Sequence, residues 1–121
     1  MSKSAKRSDI LFSVYLDEEK LPEKIEWKAT DSTAEKPQEC KAVLVSIWDA
    51  HYEEALRIDL WTKEMRQDEM NKFFFQTLIL MAETYQKANK NAEMAQKMKN
   101  FAIAFGEETK VIQKKNSNQH K

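Results

Sequence analysis

The side chains able to act as nucleophiles or metal ligands are few: one cysteine, Cys40, and two histidines, His51 and His120. A metal centre needs several His, Cys or carboxylate groups converging on one point. His51 falls in a polar stretch that reads as a turn and His120 in a polar C-terminal tail, so both are expected to be solvated and no metal site is expected. Cys40 and His51 form the one thiol–imidazole combination, but the extended chain between them would hold them roughly 30 Å apart. A structural or surface role is expected for Cys40. The sole glycine, Gly106, lies inside a helical pattern, which excludes a glycine-rich phosphate cradle. The acidic pairs Asp17/Glu18 and Glu53/Glu54 sit at turns, where a solvated charge is the ordinary outcome and paired acid–base work is not expected. No catalytic residue, no cofactor and no enzymatic activity are expected.

Apolar and aromatic side chains are the residues in surplus, and their spacing defines the elements that position them. Ile10, Phe12, Val14 and Leu16 alternate with Leu11, Ser13 and Tyr15, which is the period of a strand. An acidic turn follows, with Pro22 in the connection. Ile25, Trp27 and Ala29 alternate with Lys24, Glu26, Lys28 and Thr30 as a second strand, and residues 31–38 form a polar loop. Residues 39–49 read as one strand, apolar on both sides and therefore expected to be central or doubly covered. After a polar reversal at 50–54, Leu56, Ile58 and Leu60 alternate with Arg57, Asp59 and Trp61 as a fourth strand.

At Thr62 the period changes from two to 3.6. Asp68 is the expected N-cap of a helix reaching about residue 88, with a stripe of Met70, Phe73, Phe74, Thr77, Leu78, Met81 and Tyr85 that would cover the sheet. Phe75 and Ile79 fall outside that stripe and form a second dry edge, expected to serve an oligomer contact. A second helix is expected over about 92–113, weakened at Gly106 by about 1 kcal/mol relative to Ala. The fold class is α+β: a four-stranded antiparallel sheet followed by two C-terminal helices packed on one of its faces.

That arrangement leaves an apolar surplus on the outer face of the sheet. With Phe12, Val14, Ile25, Trp27, Val45, Ile47, Leu56 and Ile58 turned to the helices, Leu11, Tyr15, Leu44, Trp48 and Trp61 point the other way, flanked by Arg57 and Asp59. Two readings follow: a homo-oligomer interface with ordinary scatter of apolar residues, or a groove for apolar or extended segments of a partner protein.

Composition sets the frame. The 121 residues, 41% hydrophobic and 33% charged with a net charge of zero, fit a single domain with its own core. Residues 1–7 and 110–121 hold seven of the 20 basic residues and no acid, which leaves the body with 13 basic against 20 acidic residues. An acidic body is a poor nucleic-acid platform, so no nucleic-acid partner is expected. The domain is expected over 8–113, between a disordered basic N-terminus at 1–7 and a disordered polar tail at 114–121. The apolar run Phe73 to Ala82 is about half of the roughly 20 residues a membrane helix needs, and the N-terminal segment has no signal-peptide core. A cytoplasmic location is expected.

Ile47-Trp48-Asp49, the contiguous string Leu56-Arg57-Ile58-Asp59-Leu60-Trp61-Thr62-Lys63-Glu64-Met65, Asp68-Glu69-Met70, Phe73-Phe74, Gln76-Thr77-Leu78 and Met81-Ala82-Glu83-Thr84 resemble the gliding motility-associated GldC family of Bacteroidota. Leu21-Pro22-Glu23-Lys24-Ile25, Trp27 and Ala29-Thr30-Asp31 extend the resemblance, which runs from about Ser8 to Phe105. It implies a small cytoplasmic, non-enzymatic component of the gliding machinery and carries no catalytic set. The layout of strands and helices is also similar to the SecB export chaperone. That similarity implies a homo-dimer or dimer of dimers holding an unfolded client or a protein partner of the motility or secretion machinery. The alternative is a purely structural subunit whose homo- or hetero-oligomer interface is permanently occupied. Fold analogy alone does not carry function.

Overall fold

The computed structural model describes residues 6–30 and 36–114. The terminal segments expected at 1–7 and 114–121 lie, apart from residues 6, 7 and 114, outside them, as does most of the 31–38 loop. The chain forms two compact units, Met1–Met65 with the strands and Arg66–Lys121 with the helices.

In the first unit, β1 (Ile10–Leu16) and β2 (Pro22–Ala29) form an antiparallel hairpin whose register pairs Phe12 with Trp27 and Val14 with Ile25. Asp17 makes the turn. Its Oδ1 accepts from the Glu19 and Leu21 amides at 2.8 and 3.0 Å, and Lys20 takes a left-handed backbone, φ 66°. Pro22 opens β2, a position where no ladder donor is lost.

The expected single strand over 39–49 is two strands. β3 (Gln38–Cys40) pairs with β2, whereas β4 (Ala42–Asp49) pairs with β5 (Glu54–Trp61). The sheet expected as one of four strands is therefore two antiparallel sheets, ordered β1-β2-β3 and β4-β5. The chain bends at Lys41, whose carbonyl accepts from the Thr62 amide at 2.9 Å. Alternation runs through this bend unbroken because it fixes which way side chains point, not which neighbour a strand joins. Asp49 closes the β4–β5 hairpin by accepting from the amides of His51 and Tyr52 at 2.9 and 3.1 Å. Among the described residues of this unit Ile25 and Val43 are the buried apolar side chains, and Thr62 is also buried.

The second unit is a helix pair, α1 (Gln67–Asn89) and α2 (Ala92–Glu108). The N-cap is Arg66, not Asp68. Glu69 accepts from the Arg66 amide at 3.0 Å, while Asp68 pairs with the Arg66 guanidinium at 2.9 Å and is held below its ordinary pKa by that contact. Lys90 ends α1 in the left-handed region, and the Asn91 side chain caps α2 by accepting from the Met94 amide at 3.0 Å. α2 stops short of the expected residue 113. Its last turn closes through Thr109 Oγ1 donating to the Phe105 carbonyl at 2.7 Å and Val111 N–H donating to the Gly106 carbonyl at 2.8 Å. Small residues line the seam: Ala82, Ala95, Ala102 and Gly106 are all buried.

Candidate functional site

The two-stranded sheet positions most of the residues singled out for binding. Residues directly opposite in an antiparallel pair share a face. The β4–β5 register pairs Ala42 with Trp61, Leu44 with Asp59, Ser46 with Arg57 and Trp48 with Ala55. Leu44, Trp48, Arg57, Asp59 and Trp61 therefore stand on one face of one ribbon, and Arg57 Nη2 donates to Asp59 Oδ1 at 2.8 Å. Each tryptophan faces an alanine across the ladder, which leaves its indole uncovered. Trp48 is 66% and Trp61 54% exposed, at levels roughly 20 Å apart along the strand. The other face of this ribbon is wholly aliphatic between its ends: Val43, Val45, Ile47, Leu56, Ile58 and Leu60.

Leu11 and Tyr15 belong elsewhere. They lie on the three-stranded sheet, across from Lys28 and Lys24. There Tyr15 donates its hydroxyl proton to Glu26 Oε1 at 3.2 Å, and Lys24 Nζ sits 5.3 Å from the Tyr15 ring centre and 3.2 Å from Glu26 Oε2. This is a polar cluster, with Lys24 drawn above its ordinary pKa chiefly by its hydrogen bond to Glu26. Phe75 is turned to the neighbouring helix, where its ring meets the backbone of Gly106, and Ile79 is half-buried on the same helix.

A cavity of about 250 Å³ opens beside Trp61, lined by Leu21, Pro22, Asp59, Leu60, Trp61, Thr62 and Lys63. It joins the start of β2 to the end of β5. Lys63 Nζ lies 2.6 Å from Asp17 Oδ2, which ties the 17–21 turn to the residue following Thr62 and holds Leu21 and Pro22 beside the indole. The ammonium and the Leu21 amide lower the Asp17 pKa to about 2, and Lys63 rises in turn. Sequence reasoning did not assign Leu21, Pro22, Thr62 or Lys63 to a site. The available signal was that these residues fall within the two longest strings quoted for the family resemblance.

Of the remaining chemistry-bearing residues, Cys40 ends β3, His51 lies in the β4–β5 turn, and His120 lies outside the described residues. Burial pushes the Cys40 thiol up, away from the thiolate that a nucleophile needs. His51 packs edge-on against Tyr52, ring centres 4.6 Å apart, in the β4–β5 turn. Among the described residues no group of three His, Cys, Asp or Glu side chains could hold a metal ion, and no helix is long and apolar enough to cross a membrane.

No curated protein and no solved structure matches the chain, so the expected likeness to the SecB architecture is not shown. A family model does match. The model described as gliding motility-associated protein GldC-like covers residues 22–111, well over half of the chain and nearly all of the cavity lining, and the chain belongs to that GldC-like family.

Proposed function

We propose that this chain is a non-enzymatic, cytoplasmic component of the gliding motility machinery that binds apolar, extended segments of a protein partner, as a chaperone or adaptor. Family membership supports the association with motility. One observation carries the binding role: two largely exposed tryptophans share a face with Leu44, and one of them borders a 250 Å³ cavity with mainly apolar walls. A cavity of that size accepts one large apolar side chain, while the Arg57–Asp59 pair offers polar contacts to the backbone beside it. The raised thiol of Cys40 and the mutual pairing of the site's charges support a role without catalysis.

The test is a titration with a reduced, carboxymethylated, tryptophan-free polypeptide and with the same polypeptide folded, followed by the protein's own tryptophan emission. The expected result is micromolar binding of the unfolded form alone, with emission shifted to the blue and affinity reduced at least about tenfold in Trp48→Ala and Trp61→Ala, the loss of about 1.4 kcal/mol that a modest interface anchor supplies. No binding of the unfolded form, or equal binding by both variants, overturns this reading. Trp27, on the other sheet, remains as an internal reference.

A further inference from the structure

β4 is an edge strand without the usual protection. In the sheet ordered β4-β5 its outer edge has no strand partner among the described residues. Natural edges are blunted by charge, proline, bulges or shortness. From Ala42 to Trp48 there is no charge, no proline and no glycine, and the ladder with β5 is continuous over eight residues. The other edges differ. β5 carries Glu54, Arg57 and Asp59, β1 ends in a register shift at Tyr15/Leu16 and already belongs to a three-stranded sheet, and β3 is three residues long. A two-stranded ribbon is marginal in water, whereas three or more strands with an apolar face are stable.

We infer that β4 pairs antiparallel with β4 of a second copy of this chain, about a two-fold axis at Val45. The uncharged run fixes that register, because 42–48 is centred on residue 45. Its flanks are complementary: the same register sets Lys41 across from Asp49 of the partner subunit, and the symmetry repeats the contact. Val43 then faces Ile47 of the partner subunit, and Val45 meets its own copy. The product is a four-stranded sheet, β5-β4-β4-β5, with one continuous aliphatic face. On the opposite face, Trp61, Ala42 and Trp48 of the partner subunit fall on one cross-strand row, with the two indoles about 10 Å apart and only an alanine between them. Each aromatic row is then built from both copies. The pairing itself does not depend on the binding role proposed above, since it is read by mass and crosslinking and not by client affinity.

The experiment combines sedimentation of the full chain with cysteine crosslinking in a Cys40→Ser background. Directly opposed residues have Cα atoms about 4.5–5.5 Å apart, within the range a disulfide spans. Val45→Cys, a near-isosteric change, should be driven fully to a covalent dimer by mild oxidation, while Leu56→Cys, on the same face but the outer strand, should form no covalent dimer. The unmodified chain should sediment at twice the mass of one chain. A monomer at micromolar concentration, a dimer in which Val45→Cys fails to crosslink while its circular dichroism matches the parent, or equal crosslinking at both positions would each overturn the pairing.

Discussion

A methyl group added at Gly106 would stand 2.7 and 2.8 Å from two carbons of the Phe75 ring and 3.1 Å from Ile112 Cγ1. Two effects then compete in Gly106→Ala. Alanine raises helix propensity by about 1 kcal/mol, and overpacking a seam costs about 1–3 kcal/mol. A ring held between two helices has little room to retreat, so the clash wins and the variant is expected to be less stable by about 1 kcal/mol in urea unfolding. Phe75→Leu removes the ring carbons concerned. The double variant should therefore be more stable than the sum of the two single changes allows, and strict additivity would refute the contact. The sequence shows a glycine inside a helix and hence a weakness; its use becomes visible only with α2 laid against α1. The same contact explains why Phe75, read as an outward edge, is turned to its own chain's neighbouring helix.

At the scale of elements, the 17–21 turn is fastened twice, by Asp17 accepting two backbone amides and by its ion pair with Lys63. Folding lowers the Asp17 pKa from an ordinary 3.8 to about 2, so the folded chain binds its proton less readily than the unfolded chain. The resulting stabilisation is fully present above pH 3.8 and is lost as pH falls toward 2. Asp17→Asn keeps an oxygen for the two amides and removes the charge. Its unfolding midpoint should lie below that of the parent at neutral pH, and the gap should close between about pH 4 and pH 2; a gap independent of pH would mean that the ion pair contributes nothing. The elements themselves were legible, because periods of two and 3.6 survive in the sequence and β1 falls where alternation puts it. The partition into two sheets was not legible. Cys40, Lys41 and Ala42 continue the alternation through the bend, and what separates β3 from β4 is a hydrogen bond from Thr62, twenty-one residues away along the chain. The early end of α2 was hidden for a similar reason, since Lys110 at φ 65° is not a residue type that announces a left-handed stop.

For the molecule as a whole, the candidate site was readable where it lies within one hairpin and unreadable where it crosses between elements. Alternation in 42–49 and 54–61 suffices to put Leu44, Trp48, Arg57, Asp59 and Trp61 on one side. The cavity needs β2 brought to the end of β5, and Leu11 and Tyr15 were assigned to the same face only because one sheet was assumed. The distribution of burial leads to a last expectation. Among the described residues the buried apolar side chains are Ile25, Val43, Ala82, Ala95 and Ala102, three of them alanines, whereas Ile47, Leu56 and Ile58 on the aliphatic face of the β4–β5 ribbon are each about half exposed. So small a core leaves the ribbon dependent on the β4 edge pairing inferred above, and a fold completed by association gains stability by mass action, so its unfolding temperature depends on protein concentration. Each tenfold rise in concentration is worth about 1.4 kcal/mol per dimer, which spread over the unfolding entropy of two chains moves the midpoint upward by roughly 3 °C. Calorimetric scans over two decades of concentration should show that drift in the parent chain and lose it in the oxidised Val45→Cys dimer, where the partner can no longer leave. A midpoint that stays constant in the parent would mean that the β4 edge contributes no intermolecular stability and that the chain is stable alone.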